Sequence, residues 1–118
     1  MRIGPTNEYL VALIKLLKKA SFENKVNIWK TIALELERST RQRREVNLDR
    51  INRVCDENET IIVPGKVLAT GELDKKVTVA AFRFSEAALG KINKKGKAIS
   101  IEELLKINPK GSKVRIIG

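Results

Sequence analysis

Six of the nine arginines in this chain lie between Arg38 and Arg53, in a stretch that contains no lysine. A guanidinium group binds phosphate through two parallel hydrogen bonds and stacks on bases, whereas a lysine ammonium acts as a hydrated point charge. A connecting segment needs no arginine to stay soluble, so the cluster favours phosphate binding over a merely solvated run of charge. The predicted contacts to a nucleic-acid backbone are Arg38, Arg41, Arg43, Arg44, Arg50 and Arg53.

Lysines extend this prediction into the second half of the chain. Residues 61–118 hold 12 basic and 5 acidic side chains, against 12 and 9 in residues 1–60. Each lysine by itself is equally well explained as ordinary surface. Taken together, at predicted turns and helix ends, they indicate contact with the backbone of an RNA. The candidate lysines are Lys66, Lys94, Lys95, Lys110 and Lys113.

Residue types that carry catalysis are scarce. The chain has no histidine, which removes imidazole catalysis and any zinc site that needs that ligand. Cys55 therefore has no histidine to activate it, and its place on the inner side of a short predicted helix indicates a small buried hydrophobe. The acidic run at Asp56–Glu59 lacks the glycine and the distal glutamate of a calcium loop. We predict no catalytic residue, no metal site and no cofactor.

Composition sets the class of protein. The chain has 118 residues, 42% of them hydrophobic, and a net charge of +10. That length predicts a single domain over residues 1–118, with enough apolar side chains for one core. The charge excess favours a polyanionic partner, above all nucleic acid. A single cysteine excludes a disulfide-stapled secreted domain, and the absence of a transmembrane or signal segment favours the cytosol.

The first half, residues 1–58, is predicted to be mainly helical. Leu10, Leu13, Ile14 and Leu17 form one apolar stripe of a helix capped by Thr6 or Asn7. A second helix, from about residue 24 to 38, repeats the pattern with Trp29 on its apolar side. Residues 21–24 are predicted to connect the two helices into a hairpin, and residues 39–47 to form an arginine-rich extended connector. Asn47 is predicted to cap a short helix with Leu48, Ile51 and either Val54 or Cys55 facing inward.

The second half, residues 59–118, is predicted to be an α/β layer. Val77–Phe84 is the strongest strand, since its nearly continuous apolar run indicates burial on both faces. Pro64-Gly65 predicts a turn between two shorter runs. Ser85 and Ser100 are predicted to cap two helices, and a last strand covers 114–117. The fold class is therefore α/β, with a helical N-terminal hairpin followed by a small layer of short strands and two helices.

Several segments together resemble a known family. Residues 62–73 and 77–85 resemble the signature of the archaeal and eukaryotic large-subunit ribosomal protein eighteen family, which is related to the universal large-subunit ribosomal protein fifteen. Residues 41–48 are similar to the arginine-rich passage of that family, and residues 108–118 to its closing segment. The resemblance implies a non-enzymatic component of the cytoplasmic large ribosomal subunit, bound to large-subunit ribosomal RNA beside neighbouring ribosomal proteins. It implies neither a membrane nor a small-molecule substrate.

Two other functions remain open from the residues alone. One is a small basic adaptor for an acidic protein or an anionic membrane surface, favoured by Lys15, Lys18 and Lys19 on one helical face. The other is a DNA-binding helix-turn-helix with the second helix in the major groove. The acidic Glu23, Glu35 and Glu37 argue against it, because so much negative charge is unfavourable in a major groove.

Overall fold

The computed structural model describes residues 8–37 and 44–117, and these form five helices and five strands. The α/β class predicted from the sequence is confirmed. No helix in the described ranges is long and apolar enough to cross a membrane. In chain order the elements are α1 (Glu8–Asn24), α2 (Ile28–Leu36), β1 (Arg44–Asn47), α3 (Leu48–Val54), β2 (Thr60–Leu68), β3 (Thr78–Phe84), α4 (Glu86–Asn93), β4 (Lys97–Ser100), α5 (Ile101–Ile107) and β5 (Val114–Ile116).

Every strand pair of the sheet is parallel. The order is β1-β2-β3-β4, and β5 also pairs with β2. The two outer strands share the side of β2 away from β3: β5 pairs with its first part, Thr60–Ile62, and β1 with its last part, Gly65–Leu68. β2 and β3 are therefore central, and their apolar runs are buried on both faces, as parallel sheets require.

Helices cover both faces of the sheet. The stripe of α1 and the apolar side of α2 pack with α5 on one face, around Trp29, which is fully buried. On the other face α3 and α4 enclose a second core, in which Leu48, Ile51 and Ile92 meet Val79. Burial of the alternating strand residues against these two layers fixes the register of the sheet, because a slip of one residue would exchange the faces.

The hairpin turn lies later than the sequence predicts. Residues 21–24 are the last turn of α1, and the connection is Lys25–Asn27. Polar side chains at this point serve the helix end: Asn24 Nδ2 donates to the carbonyl of Ala20 at 2.9 Å, and the Ser21 hydroxyl donates to the carbonyl of Val26. Lys25 then leaves the helix with a φ of 55°, in the left-handed region that often ends helices.

The turn predicted at Pro64-Gly65 is wrong, because β2 runs straight through both residues. The pairing of β2 with β3 shifts register between Val63 and Lys66. At such a bulge the missing N–H of proline costs no ladder hydrogen bond, and glycine tolerates the irregular backbone. The two short strands predicted on either side are therefore one strand of nine residues.

The predicted caps of the later helices are confirmed. The Ser85 hydroxyl accepts from the backbone N–H of Ala88 at 3.1 Å, and the Ser100 hydroxyl accepts from Glu103 N–H at 3.0 Å. Asn47 is the first residue before α3, but its side chain makes no capping hydrogen bond. Of the two alternatives for the inner face of α3, Cys55 is buried and Val54 is 42% exposed.

Candidate nucleic-acid interface

Two of the predicted arginines stand on the outer side of α3. Leu48 and Ile51 bury the inner side of this helix, so Arg50 and Arg53 point into solvent. Three residues apart, they are neighbours on the helix surface. No carboxylate in the described ranges lies within ion-pair distance of either guanidinium. Both forks are therefore free to bind an external anion.

Strand β1 brings the arginine-rich passage to the sheet. Arg38, Arg41 and Arg43 lie outside the described residues, and only the backbone of Arg44 is described. The last residues of the predicted extended connector form a strand: Arg44 aligns with Gly65, and the acidic Glu45 aligns with Lys66. Lys66 is exposed, so its charge lies beside the point where the passage enters the sheet.

Arg83 joins this group, although the sequence prediction did not include it. It aligns with Lys66 on the neighbouring strand and is exposed. Its guanidinium carbon lies 5.2 Å from the centroid of the Phe82 ring, within cation–π range. That ring in turn stacks on Tyr9, with centroids 6.0 Å apart and planes inclined by 13°. The alternation of ring, arginine and ring was the available signal, because it predicts an outward charge on a half-buried strand.

The remaining predicted lysines do not form one cluster, although Lys95 approaches α3: its ammonium donates to Asp74, whose backbone N–H donates to Asn52 of that helix. Lys94 and Lys95 follow α4 and precede the first residue of β4, at the edge where the parallel strands begin. Lys113 precedes β5 at the same edge, in a shallow pocket that it shares with the acidic residues 56, 57 and 59. Lys110 lies in the closing turn beside α2, where Trp29 Nε1 donates to the carbonyl of Pro109 at 2.7 Å.

Several cations are used inside the fold. Lys91 Nζ donates to the carbonyls of Ala69 and Gly71, at 3.0 and 2.9 Å. Lys75 Nζ donates to the carbonyls of Asn52, at 2.7 Å, and Cys55. Lys95, a predicted RNA contact, donates to the carbonyl of Asp74 at 3.1 Å. These ammonium groups hold loops in place, so they offer less to a partner than their number suggests.

Arg115 also has a partner within the protein. Its Nε donates to a carboxylate oxygen of Glu59 at 2.8 Å, and the backbone N–H of Asp56 donates to the other oxygen at the same distance. The pKa of Glu59 is lowered, first by the backbone hydrogen bond and then by Arg115. The pair joins the start of β2 to β5 and reduces the positive charge presented at that edge.

The only thiol of the chain is a core group. Cys55 is buried beside Leu48 and Ile51, and burial, followed by the charge of Glu59, raises its pKa to about 11. At neutral pH the group is therefore a protonated thiol, which is a poor nucleophile. Among the described residues, no three of the metal-ligating side chains come together as a metal site. The exposed cations are the groups in the described residues that can bind an anionic partner.

Comparison with known proteins gives a consistent result. The model of the family described as ribosomal protein 60S L18 and 50S L18e matches residues 3–118. Large ribosomal subunit protein eL18 of Methanospirillum hungatei is 54% identical over 117 residues, which cover 98% of this chain and 97% of the relative. The proteins of the same name from Methanoregula boonei and Haloarcula marismortui are 55% and 47% identical; each alignment covers 98% of this chain, with 96% and 99% of the relative.

Proposed function

The chain belongs to the family of ribosomal protein 60S L18 and 50S L18e, and from this premise we propose that it holds large-subunit ribosomal RNA through arginine and lysine contacts to phosphate. It is a structural constituent of the large subunit of the cytoplasmic ribosome and not an enzyme. Its partners are large-subunit ribosomal RNA and neighbouring ribosomal proteins. We further propose that particular arginine and lysine side chains make the RNA contacts, and that the partners include neither a membrane nor a small-molecule substrate.

The observation that carries the assignment is the pair of free guanidinium groups on α3. Arg50 and Arg53 stand on a helix whose inner side is fixed by two fully buried residues, so their positions do not depend on a flexible tail. β1 immediately precedes this helix and extends the arginine-rich passage to it. Phosphate binding by such forks is bidentate, which orients the RNA backbone as well as attracting it.

The other cations then extend the contact surface. Lys66 and Arg83 align on neighbouring strands beside β1, which places them next to the arginine-rich passage. The predicted lysines at the opposite edge, Lys94, Lys95 and Lys113, and Lys110 in the closing turn, serve a separate stretch of RNA. Asp56, Glu57 and Glu59 lie at that edge too and reduce its attraction for phosphate.

The alternative functions fit this arrangement less well. The stripe of α1 that a membrane-binding helix would insert is buried: Leu10, Leu13 and Leu17 are at most 1% exposed. The second helix of a DNA-binding hairpin would have to enter a major groove with its exposed side, and at α2 that side includes the apolar Leu34 and, at the C-cap, the acidic Glu37. Contact with an acidic protein is assigned to a different surface of the chain, at the α1–α2 hairpin.

Salt dependence tests the proposed function. If about six phosphates are neutralised, the logarithm of the association constant for a large-subunit RNA fragment should fall by roughly 4 to 5 for each tenfold rise in salt. Replacing Arg41, Arg43 and Arg44 together by Ala should weaken binding and reduce that slope, and the melting temperature should change little. An affinity that hardly responds to salt would contradict the proposal.

A matched variant separates position from total charge. Lys15→Ala, Lys19→Ala and Lys106→Ala in one chain also remove three exposed cations, but from α1 and α5, on the face of the sheet opposite to α3. We expect this variant to keep most of its affinity. Equal losses for the two triple variants would mean that net charge alone attracts the RNA, and unfolding of the arginine variant would mean that those side chains are structural.

A further inference from the structure

An exposed apolar groove lies at the tip of the α1–α2 hairpin. Its volume is about 810 Å³, and its apolar lining comes from Phe22, Val26 and Leu34. Phe22 is 85% exposed and Leu34 50% exposed. An opening of this size accommodates several side chains of a partner.

Folding of the hairpin does not account for these exposed side chains. The stripe of α1 that packs on α2 consists of other residues, from Leu10 to Ala20, and α2 buries Trp29, Ile32, Ala33 and Leu36 instead. A side chain as exposed as Phe22 gains almost nothing from the hydrophobic effect within this chain. Because these exposed apolar side chains share one groove with charged neighbours, they are available to contact another molecule.

The rim of the groove is positively charged. Lys25 and Lys30 line it and have no ionic partner among residues 8–37 and 44–117. Lys18 also lines it, but its ammonium is held by Glu37 at 2.6 Å. Glu23 is the one carboxylate in the lining. The free charge therefore complements an occupant that carries acidic groups near apolar ones.

We propose that this groove binds a segment of a neighbouring large-subunit protein, with apolar side chains in the groove and Asp or Glu side chains beside Lys25 and Lys30. The inference rests on the proposed function in so far as the partner is sought within the large subunit. Protein is favoured over RNA because the floor holds a single ring, and the aliphatic Val26 and Leu34 supply no plane on which a base stacks.

Photo-crosslinking identifies the occupant directly. The full chain, with a photoreactive benzophenone amino acid in place of Phe22, is added to large subunits that have been stripped of the native protein by high salt. Illumination of the reconstituted subunits should join position 22 to one protein segment whose apolar residues are flanked by Asp or Glu. A crosslink to RNA, a crosslink to a segment without acidic residues, or no crosslink in subunits that contain the chain would overturn the inference.

Charge reversal at the rim tests the electrostatic part. Lys25→Glu with Lys30→Glu should lower the crosslink yield per incorporated chain at least fivefold. The matched control is Lys15→Glu with Lys19→Glu, which makes the same change of charge on exposed positions of α1 that do not line the groove. We expect the control to stay within twofold of the unchanged chain, and equal losses in both variants would contradict the role of the rim.

Failure of this inference can be told apart from failure of the proposed function. Phe22→Ala should leave the melting temperature and the affinity for a large-subunit RNA fragment unchanged, since the side chain is exposed and uncharged. If the unaltered chain does not bind that fragment in a salt-dependent way, the proposed function fails and this inference fails with it. If RNA binding is intact but position 22 crosslinks to RNA, to a segment without acidic residues or to nothing, only the assignment of the groove is wrong.

Discussion

Helices α3 and α4 cover the same face of the sheet and contribute to the same core, yet they use their basic side chains in opposite ways. On α3, Arg50 and Arg53 are exposed and meet no carboxylate among the described residues. On α4, Lys91 turns its ammonium back to the loop after β2 and binds the carbonyls of Ala69 and Gly71. Helix α3 presents its positive charge to a partner, whereas α4 uses its positive charge to stabilise the fold.

The difference follows from the two kinds of cation. An ammonium on a flexible stem donates in three directions, so it can gather carbonyls that a loop leaves unpaired, while its methylenes pack along apolar surface. A planar guanidinium suits the two oxygens of an external phosphate better. The number of basic residues therefore overstates the number available to bind RNA. A basic residue belongs to the binding surface only if its side chain is not already hydrogen-bonded within the protein.

The largest effect is expected at the loop that contacts both helices. Gly71 has a φ of 92°, and an added Cβ would overlap the Cβ of Asp49 on α3, while its carbonyl accepts from Lys91 on α4. Gly71→Ala should therefore lower the free energy of unfolding by about 3 kcal/mol, measured by urea denaturation. Gly90→Ala is the control, because a Cβ there meets nothing within 4 Å. A neutral Gly71→Ala would show that the loop adapts freely.

The next largest effect tests the binding helix. Arg50→Ala with Arg53→Ala should weaken binding to a large-subunit RNA fragment by about 10- to 100-fold, or about 1.4–2.7 kcal/mol. Loss of two phosphate contacts should also reduce the salt slope by about 1.4–1.8. The melting temperature should not move, since both side chains are exposed. A variant with full affinity would remove α3 from the interface.

The structural helix provides the converse experiment. Lys91→Met keeps the apolar stem but leaves two carbonyls without their donor, so we expect a loss of about 1–2 kcal/mol in stability and unchanged RNA affinity of the folded protein. Lys94→Met is the matched change beyond the same helix, at an exposed residue without a described bond. It should leave thermal unfolding unaffected and weaken RNA binding slightly. Weaker RNA binding by Lys91→Met would place both helices in the interface.

The smallest effect concerns the arginine that is paired within the fold. The pKa of Glu59 lies below its usual value of 4.5, so its hydrogen bonds contribute stability above that pH and lose it as the pH falls through the folded-state pKa. Arg115→Ala should raise the midpoint of the Glu59 titration, followed by NMR. Arg53→Ala removes the same charge without touching this carboxylate and should leave the midpoint in place. A response to both variants would indicate a general field and not a specific pair.

Much of the fold could be predicted because its signals are local. The stripe of α1 follows from apolar residues three and four apart, and the caps at Ser85 and Ser100 follow from hydroxyls three residues before a backbone N–H. The predicted end of α1 was wrong because Ser21 and Asn24 look like turn residues in isolation. Their hydrogen bonds to Val26 and Ala20 instead stabilise the last turn of the helix.

The candidate site was predictable only in part. An arginine cluster without lysine indicated phosphate binding, and the structure leaves Arg50 and Arg53 free, as that prediction needs. The alternation of Phe82, Arg83 and Phe84 predicts that Arg83 points outward, but its place beside Lys66 depends on the strand register, which neither segment determines alone. Assignment of all the individual RNA contacts stays a prediction.

By itself the sequence determined the α/β class, the apolar stripes, the caps at Ser85 and Ser100 and the family, since all of these depend on residue types at short spacings or over the whole chain. Only the tertiary structure decided that Pro64-Gly65 lies within a strand, that β1 joins the edge of β2, and which cations are free. The physical reason is that a lysine is bound or free according to carbonyls and carboxylates distant in the chain. Lys91 meets its acceptors 20 and 22 residues away, where no local pattern points.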